Sequence, residues 1–176
     1  MRPVLILIAL LTAPTPGCSD IVIDCDAPDA PGWDPAHAPV EEEMLAAVNA
    51  RRGAGAECRG TAMPPVPPVT MEERLRCAAR SHSVDMSEQR YFDHTSPSGA
   101  GPSQRVDAVG YDWSTVSENI AAGREEAEAT VDDLMDSTTG HCENIMDGDV
   151  SEAGIGLAFT DDDYGHYWTQ VFAAPR

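Results

Sequence analysis

Met44, Leu45 and Val48 recur at the three- and four-residue spacing of a helix face, behind three glutamates that suit a helix N-terminus and ahead of Gly53, which stops the run. The pattern predicts a first helix starting near Pro39, with Asn49 and Arg52 on its polar face. Ala62 to Val69 holds four prolines and must be an extended connection. Thr70 and Glu73 then form a capping-box pattern, and Leu75, Ala78, Ala79, His82 and Met86 return at helical spacing. His82 therefore lies on or beside the buried stripe of a second helix, where a hydrogen-bonded core histidine is the first reading and a ligand role the second.

Pro102 to Val109 reads as a short helix closed by Gly110, Ser117 to Ala122 as a strand, and Glu125 to Ser137 as a longer helix with Ala127, Val131, Leu134 and Met135 on one side. Gly154 to Thr160 sets Ile155, Leu157 and Phe159 against small residues, and His166 to Ala174 is rich in aromatic and β-branched residues. With Asp161 to Gly165 as the turn, the two form an antiparallel hairpin. Helices around a few antiparallel strands imply an α+β domain, a layered αβα sandwich with a small antiparallel sheet between helical layers. Tyr111, Trp113, Trp168 and Phe172 read as core. Asp161-Asp162-Asp163 reads as a solvated turn, since it lacks the spacing of a calcium loop.

The N-terminus has a different pattern. Arg2, an apolar run from Val4 to Leu11 and small residues up to Gly17 read as a secretory signal peptide over residues 1–17. The run is far short of the roughly 20 apolar residues a membrane-spanning helix needs. Gly17-Cys18 resembles a lipobox, which would make Cys18 the lipidated first residue of the mature chain; ordinary cleavage, leaving Cys18 to pair with another thiol, is the alternative. Residues 18–39, rich in Asp and Pro, read as a tether from the membrane, with Ile21 to Ile23 as a possible short edge strand. Residues 40–176 are the domain.

Five cysteines are an odd number for an exported chain. Lipid on Cys18 leaves four, which permit three pairings. A Cys58–Cys77 bridge would staple the Pro-rich connection, and Cys25–Cys142 would follow by elimination; a free, buried Cys142 is the other reading.

The formal charge of −19, with arginine as the sole basic residue besides histidine, disfavours nucleic acid as a partner.

The candidate chemistry lies between Tyr91 and Phe172, in the segments YFDHTSPSG, GY, SENIAAG, GHCENIM and YWTQVF. His94 sits on a turn after the second helix. Glu118 lies in a strand flanked by apolar residues, where a carboxylate needs a partner. His141 follows Gly140. Two imidazoles and a carboxylate are ligands that zinc accepts, although their wide separation is unlike a local motif such as HExxH. No GxSxG nucleophile elbow is present.

These segments, taken in order with Asn49, Arg52 and the HSVDM at His82 to Met86, resemble the bacterial branch of the CAP superfamily, the cysteine-rich secretory, antigen-5 and pathogenesis-related-1 proteins, over roughly Glu41 to Ala174. The resemblance implies the αβα sandwich of that family. It also implies a central cavity that can hold a divalent metal, with His94 and Glu118 on its first histidine and its GEN glutamate. Two departures stand out. Tyr167 occupies the place of a further histidine, with His166 on the opposite face of the strand, and Ser137 or Asp136 stands where a second acidic residue is usual. The expected cleft is thus His94, Glu118, His141 and Tyr167, binding a small, peptidic or apolar ligand. Zinc or another divalent metal would rest on His94, His141 and Glu118. Three functions are open: an exported, lipid-anchored binding protein of the cell envelope; a metal-dependent hydrolase with Glu118 as general base; and a structural envelope protein in which both histidines hydrogen-bond Glu118.

Overall fold

The computed structural model describes residues 33–176. The signal peptide, Cys18, the Ile21 to Ile23 segment, Cys25 and the tether up to residue 32 lie outside the described residues. Residues 33–39 are not tether. Asp34 caps a 3₁₀ turn at Pro35–His37, and the Trp33 ring lies 3.6 Å from the Arg80 guanidinium carbon.

Helix α1 (Ala38–Ala54) runs past the expected stop, because Gly53 stays helical and Gly55, at φ 76°, ends it. Strands β1 (Ala56–Cys58) and β2 (Thr61–Met63) form a small hairpin around Arg59 and Gly60, both at positive φ. Strand β3 (Thr70–Met71) takes Thr70 out of the expected capping box. Helix α2 (Glu73–Gln89) is capped instead by Glu72, whose carboxylate accepts from the Leu75 amide at 2.8 Å. Next come α3 (Pro102–Ala108), β4 (Trp113–Ala122), α4 (Ala127–Met135), α5 (His141–Ile145), β5 (Glu152–Phe159) and β6 (His166–Pro175).

The main sheet runs β3-β5-β6-β4, antiparallel except for the short β3–β5 pair, and β4 is an edge. Alternation sorts its residues onto two faces. Ile155, Leu157, Trp168 and Phe172 pack with Met44 and Val48 of α1, Val131 and Leu134 of α4, and Ile145 of α5. Val171 and Ala173, on the other face, pack with Leu75, Ala78 and Ala79 of α2 and Val106 of α3. The αβα sandwich follows.

Contact between α2 and β5 is made backbone to backbone. A Cβ on Gly154 would stand 2.0 Å from the Leu75 carbonyl carbon, and one on Gly156 2.3 Å from the Arg80 amide nitrogen. Neither atom can give way, so only glycine fits. The opposite ends of α1 are fixed by buried charge. Glu41 is fully buried and accepts from Arg76 Nε at 2.9 Å, Arg80 Nη2 at 2.6 Å and Trp33 Nε1 at 3.1 Å. Arg52, expected on a polar face, is fully buried too. It donates to the carbonyls of Pro67, Ile145, Asp147 and Val150. With Asn49 gripping the Val69 amide and carbonyl, both at 2.9 Å, it clamps the Pro-rich connection onto α1. The two polar family positions are backbone clamps.

The disulfide pairing differs from the expected one. Cys58 is bonded to Cys142, Cα atoms 5.6 Å apart, which ties the β1–β2 hairpin to α5. Cys58 and Cys142 are both buried in the α1–α4–α5 layer, whereas Cys77 packs with Val84 and Ala158 in the α2 layer, across the sheet. Cys77 is itself disulfide-bonded. Closing 84 residues in one bridge contributes roughly 4–5 kcal/mol in the chain-entropy model.

Candidate functional site

Beyond α2 the chain turns sharply at Arg90, φ 56°, into a loop that holds itself in shape. Asp93 accepts from the Thr95 amide at 2.8 Å, Ser96 N donates to the Ala100 carbonyl at 2.9 Å, and the Ala100 amide returns to Ser96 Oγ at 3.2 Å. This places His94 over β4. Its Nδ1 is 2.9 Å from Glu118 Oε1, and its side chain keeps 45% of its exposure while that of Glu118 keeps 1%.

The principal partner of Glu118 is Arg105, from α3. Its Nη2 lies 2.9 Å from Oε2 and 3.1 Å from Oε1, and also donates to the His94 carbonyl at 2.8 Å, while Nη1 donates to the Ala100 carbonyl at 2.9 Å. One guanidinium thus holds both the carboxylate and the loop above it. Burial pushes the Glu118 carboxyl up, but the His94 hydrogen bond, the neighbouring His82 and the Arg105 charge outweigh it, leaving it below its usual range. Glu118 is therefore ionised and can only accept, so His94 Nδ1 carries the proton it donates. In the neutral ring Nε2 is left with its lone pair.

His82 lies behind the carboxylate, fully buried, with Nε2 3.8 Å from Glu118 Oε1 and without a hydrogen-bond partner among the described residues. Its Nδ1 is 3.4 Å from the Tyr91 hydroxyl, which donates to Asp85 at 2.5 Å. Burial pushes the imidazole down to about 4, so it is neutral at ordinary pH. His82 is both the core histidine of the sequence reading and a wall of the site.

The other two expected members make no hydrogen bond to Glu118 among the described residues, although the His141 ring is near enough to His94 to feel its charge. His141 opens α5 on the far side of the sheet edge, where its carbonyl accepts from Asn119 Nδ2 at 3.2 Å. Its half-buried ring, lowered in pKa by burial and then by His94, lines a cavity of about 450 Å³ with Ala122, Leu134 and Ser137. Tyr167 shares the Glu118 face of the sheet but sends its hydroxyl 2.7 Å to Asp162, at the hairpin turn. Arg105 was missed altogether; the one signal for it was that Glu118, in an apolar strand, required a cation.

His94, Glu118 and His141 do not fit a divalent ion as a set. Arg105 already lies against both carboxylate oxygens, and among the described residues no group of three or more His, Cys, Asp or Glu side chains is arranged to hold a metal. Glu118, buried beneath a guanidinium, is equally unsuited to be a general base. Any proton acceptor here is His94 Nε2.

An αβα sandwich with an exposed imidazole pinned to a buried carboxylate at the sheet edge defines the class of protein. Residues 45–172 match the model of the cysteine-rich secretory protein family, CAP, and the chain belongs to that family. It is 35% identical over 105 residues to the uncharacterized protein YkwD of Bacillus subtilis, covering 60% of this chain and 39% of that protein. To the uncharacterized membrane protein YlbC of the same organism it is 30% identical over 94 residues, covering 53% of this chain and 25% of that one. The chain thus spans well under half the length of either. Two solved structures share the fold. An outer surface protein from Borrelia burgdorferi superposes with a TM-score of 0.69 at 17% identity, over 82% of this chain and 99% of that one. An extracellular protein containing an SCP domain from Bacillus anthracis gives 0.60 at 22%, over 75% and 39%.

Proposed function

We propose that this chain is an extracytoplasmic binding protein, held at the membrane by lipid on Cys18, that takes a small peptidic ligand at His94. The observation behind this reading is the line Arg105, Glu118, His94. Each member orients the next, and it ends in an exposed ring whose Nε2, in the neutral form, is free to act as a hydrogen-bond acceptor for a ligand. Such an acceptor, fixed in advance, suits a peptide N–H. The assignment of anchoring to lipid rests on Gly17-Cys18; no helix among the described residues is long and apolar enough to cross a membrane. The test is NMR of the His94 ring protons during titration with pooled short peptides. Shifts at His94 that survive a chelator and vanish in Glu118→Gln, with the fold intact, support the proposal. Peptide turnover, or shifts only with added zinc, would refute it.

The same pair supports a second reading. A ring that donates through Nδ1 to a carboxylate and offers a lone pair at Nε2 is oriented as a general base, so metal-free hydrolysis of the bound peptide, with water as nucleophile, is the enzymatic alternative. Release of product fragments by wild-type protein but not by His94→Ala would establish it.

A further inference from the structure

The large hydrophobic side chains left exposed among the described residues are Phe92, Phe159 and Tyr164, and all three lie at the hairpin end of the molecule. They are ordered by contact. Tyr164 meets Phe92 with ring centroids 6.0 Å apart, and meets Tyr167 edge-on at 5.7 Å. Tyr164 and Tyr167 also line a cavity of about 410 Å³, together with Arg90, Asp161, Asp162 and Asp163. Of the exposed rings Tyr164 lines this hollow, and Phe92 supports it from beside; an exposed aromatic ring held at a concave surface is a feature of binding sites.

The chemistry of the walls selects the occupant. Asp162 is committed to the turn, accepting from the amides of Tyr164 and Gly165, each at 3.0 Å, and from the Tyr167 hydroxyl. It fixes the rings in place. Asp161 and Asp163 flank it, so three carboxylates face one guanidinium and the hollow is net negative. Carboxylates beside an exposed aromatic face are the setting in which an organic cation gains from both. Arg90, also in the lining and near enough for its charge to act on Asp162 and Tyr167, can donate to a carbonyl of the same ligand.

We propose that this cavity binds a basic residue of a peptide, its guanidinium or ammonium group against Tyr164, Asp161 and Asp163 and a main-chain carbonyl on Arg90. The site is separate from His94 and does not depend on the function proposed above.

The probe is N-acetyl-arginine N-methylamide, with the citrulline analogue as its neutral isostere and N-acetyl-glutamate N-methylamide as its acidic counterpart. Binding is followed by NMR at the aromatic resonances. Saturable shifts at Phe92, Tyr164 and Tyr167 are expected with the arginine compound, with affinity about fivefold or more weaker for citrulline and for the variants Tyr164→Ala and Asp163→Asn. Both positions are at the exposed turn, and the unperturbed spectrum of the rest of each variant reports that it is folded. Equal affinity for arginine and citrulline, preference for the glutamate compound, shifts elsewhere, or none at all overturns the proposal.

Discussion

Arg105 Nη2 reaches both oxygens of Glu118, at 2.9 and 3.1 Å, and neither side chain keeps more than a tenth of its exposure. A buried pair of this kind adds little net stability over apolar residues, yet removing one partner strands the other charge. Arg105→Ala should therefore destabilise the fold by about 3–5 kcal/mol. The double replacement Arg105→Met with Glu118→Leu should recover most of that loss. Urea denaturation of the three proteins checks both statements; equal losses for the single and double variants would contradict them.

Stability should fall in acid in two stages. His82 is neutral when folded down to about pH 4, against an ordinary value near 6.5. Between those values the unfolded chain binds a proton that the folded one does not, so stability declines as pH falls from about 6.5 to about 4, by about 3 kcal/mol at most. Glu118 has a folded value below the usual one, so its contribution is present above the carboxylate range and disappears as pH falls through the folded value. His82→Phe should flatten the first stage and leave the second. Thermal melts across the pH range would show it.

Gly154→Ala should prevent normal folding, or destabilise by about 3 kcal/mol or more, because the added carbon meets the backbone of α2. Gly148, where a Cβ meets only the Val66 side chain at 3.3 Å, is the control and should accept alanine at small cost. Comparing the two by circular dichroism on heating gives the answer.

A peptide map of the non-reduced protein should recover Cys58 joined to Cys142, with Cys77 in a second bridge. If Cys18 carries lipid, Cys25 is the remaining candidate for Cys77. Mass spectrometry of membrane-extracted protein would identify the modified cysteine, and a free Cys25 thiol would exclude that pairing. Replacing Cys58 and Cys142 by alanine should lower stability by about 2–5 kcal/mol.

What could be read in advance was whatever local pattern encodes. The helix over Leu75 to Met86, the hairpin around Asp161 to Gly165 and the turn at His94 were visible as periodicity and turn chemistry. Glu118 was legible as a buried carboxylate in need of a partner. The identity of that partner was not, because Arg105 reaches Glu118 from a separate helix and no spacing rule joins the two. His141 shows the converse. Its position beside Gly140 resembled that of a site residue, but α5 reaches the sheet from the other layer, so its ring lines a cavity with α4 residues and makes no hydrogen bond to Glu118 among the described residues. The Cys58–Cys77 expectation failed for the same reason: closeness in sequence said nothing about which layer each sulfur would enter.

Because Gly154 and Gly156 let the backbone of α2 rest on β5, those two elements have no cushion of side chains over which to slide. Shear between packed layers, a common way for proteins to open a cleft, is denied to them. His82 rides on that helix, so it cannot withdraw from Glu118 to admit a guest. A ligand at His94 must be met by the surface loop and by the placement of protons, and the domain should give nearly superimposable coordinates with and without it.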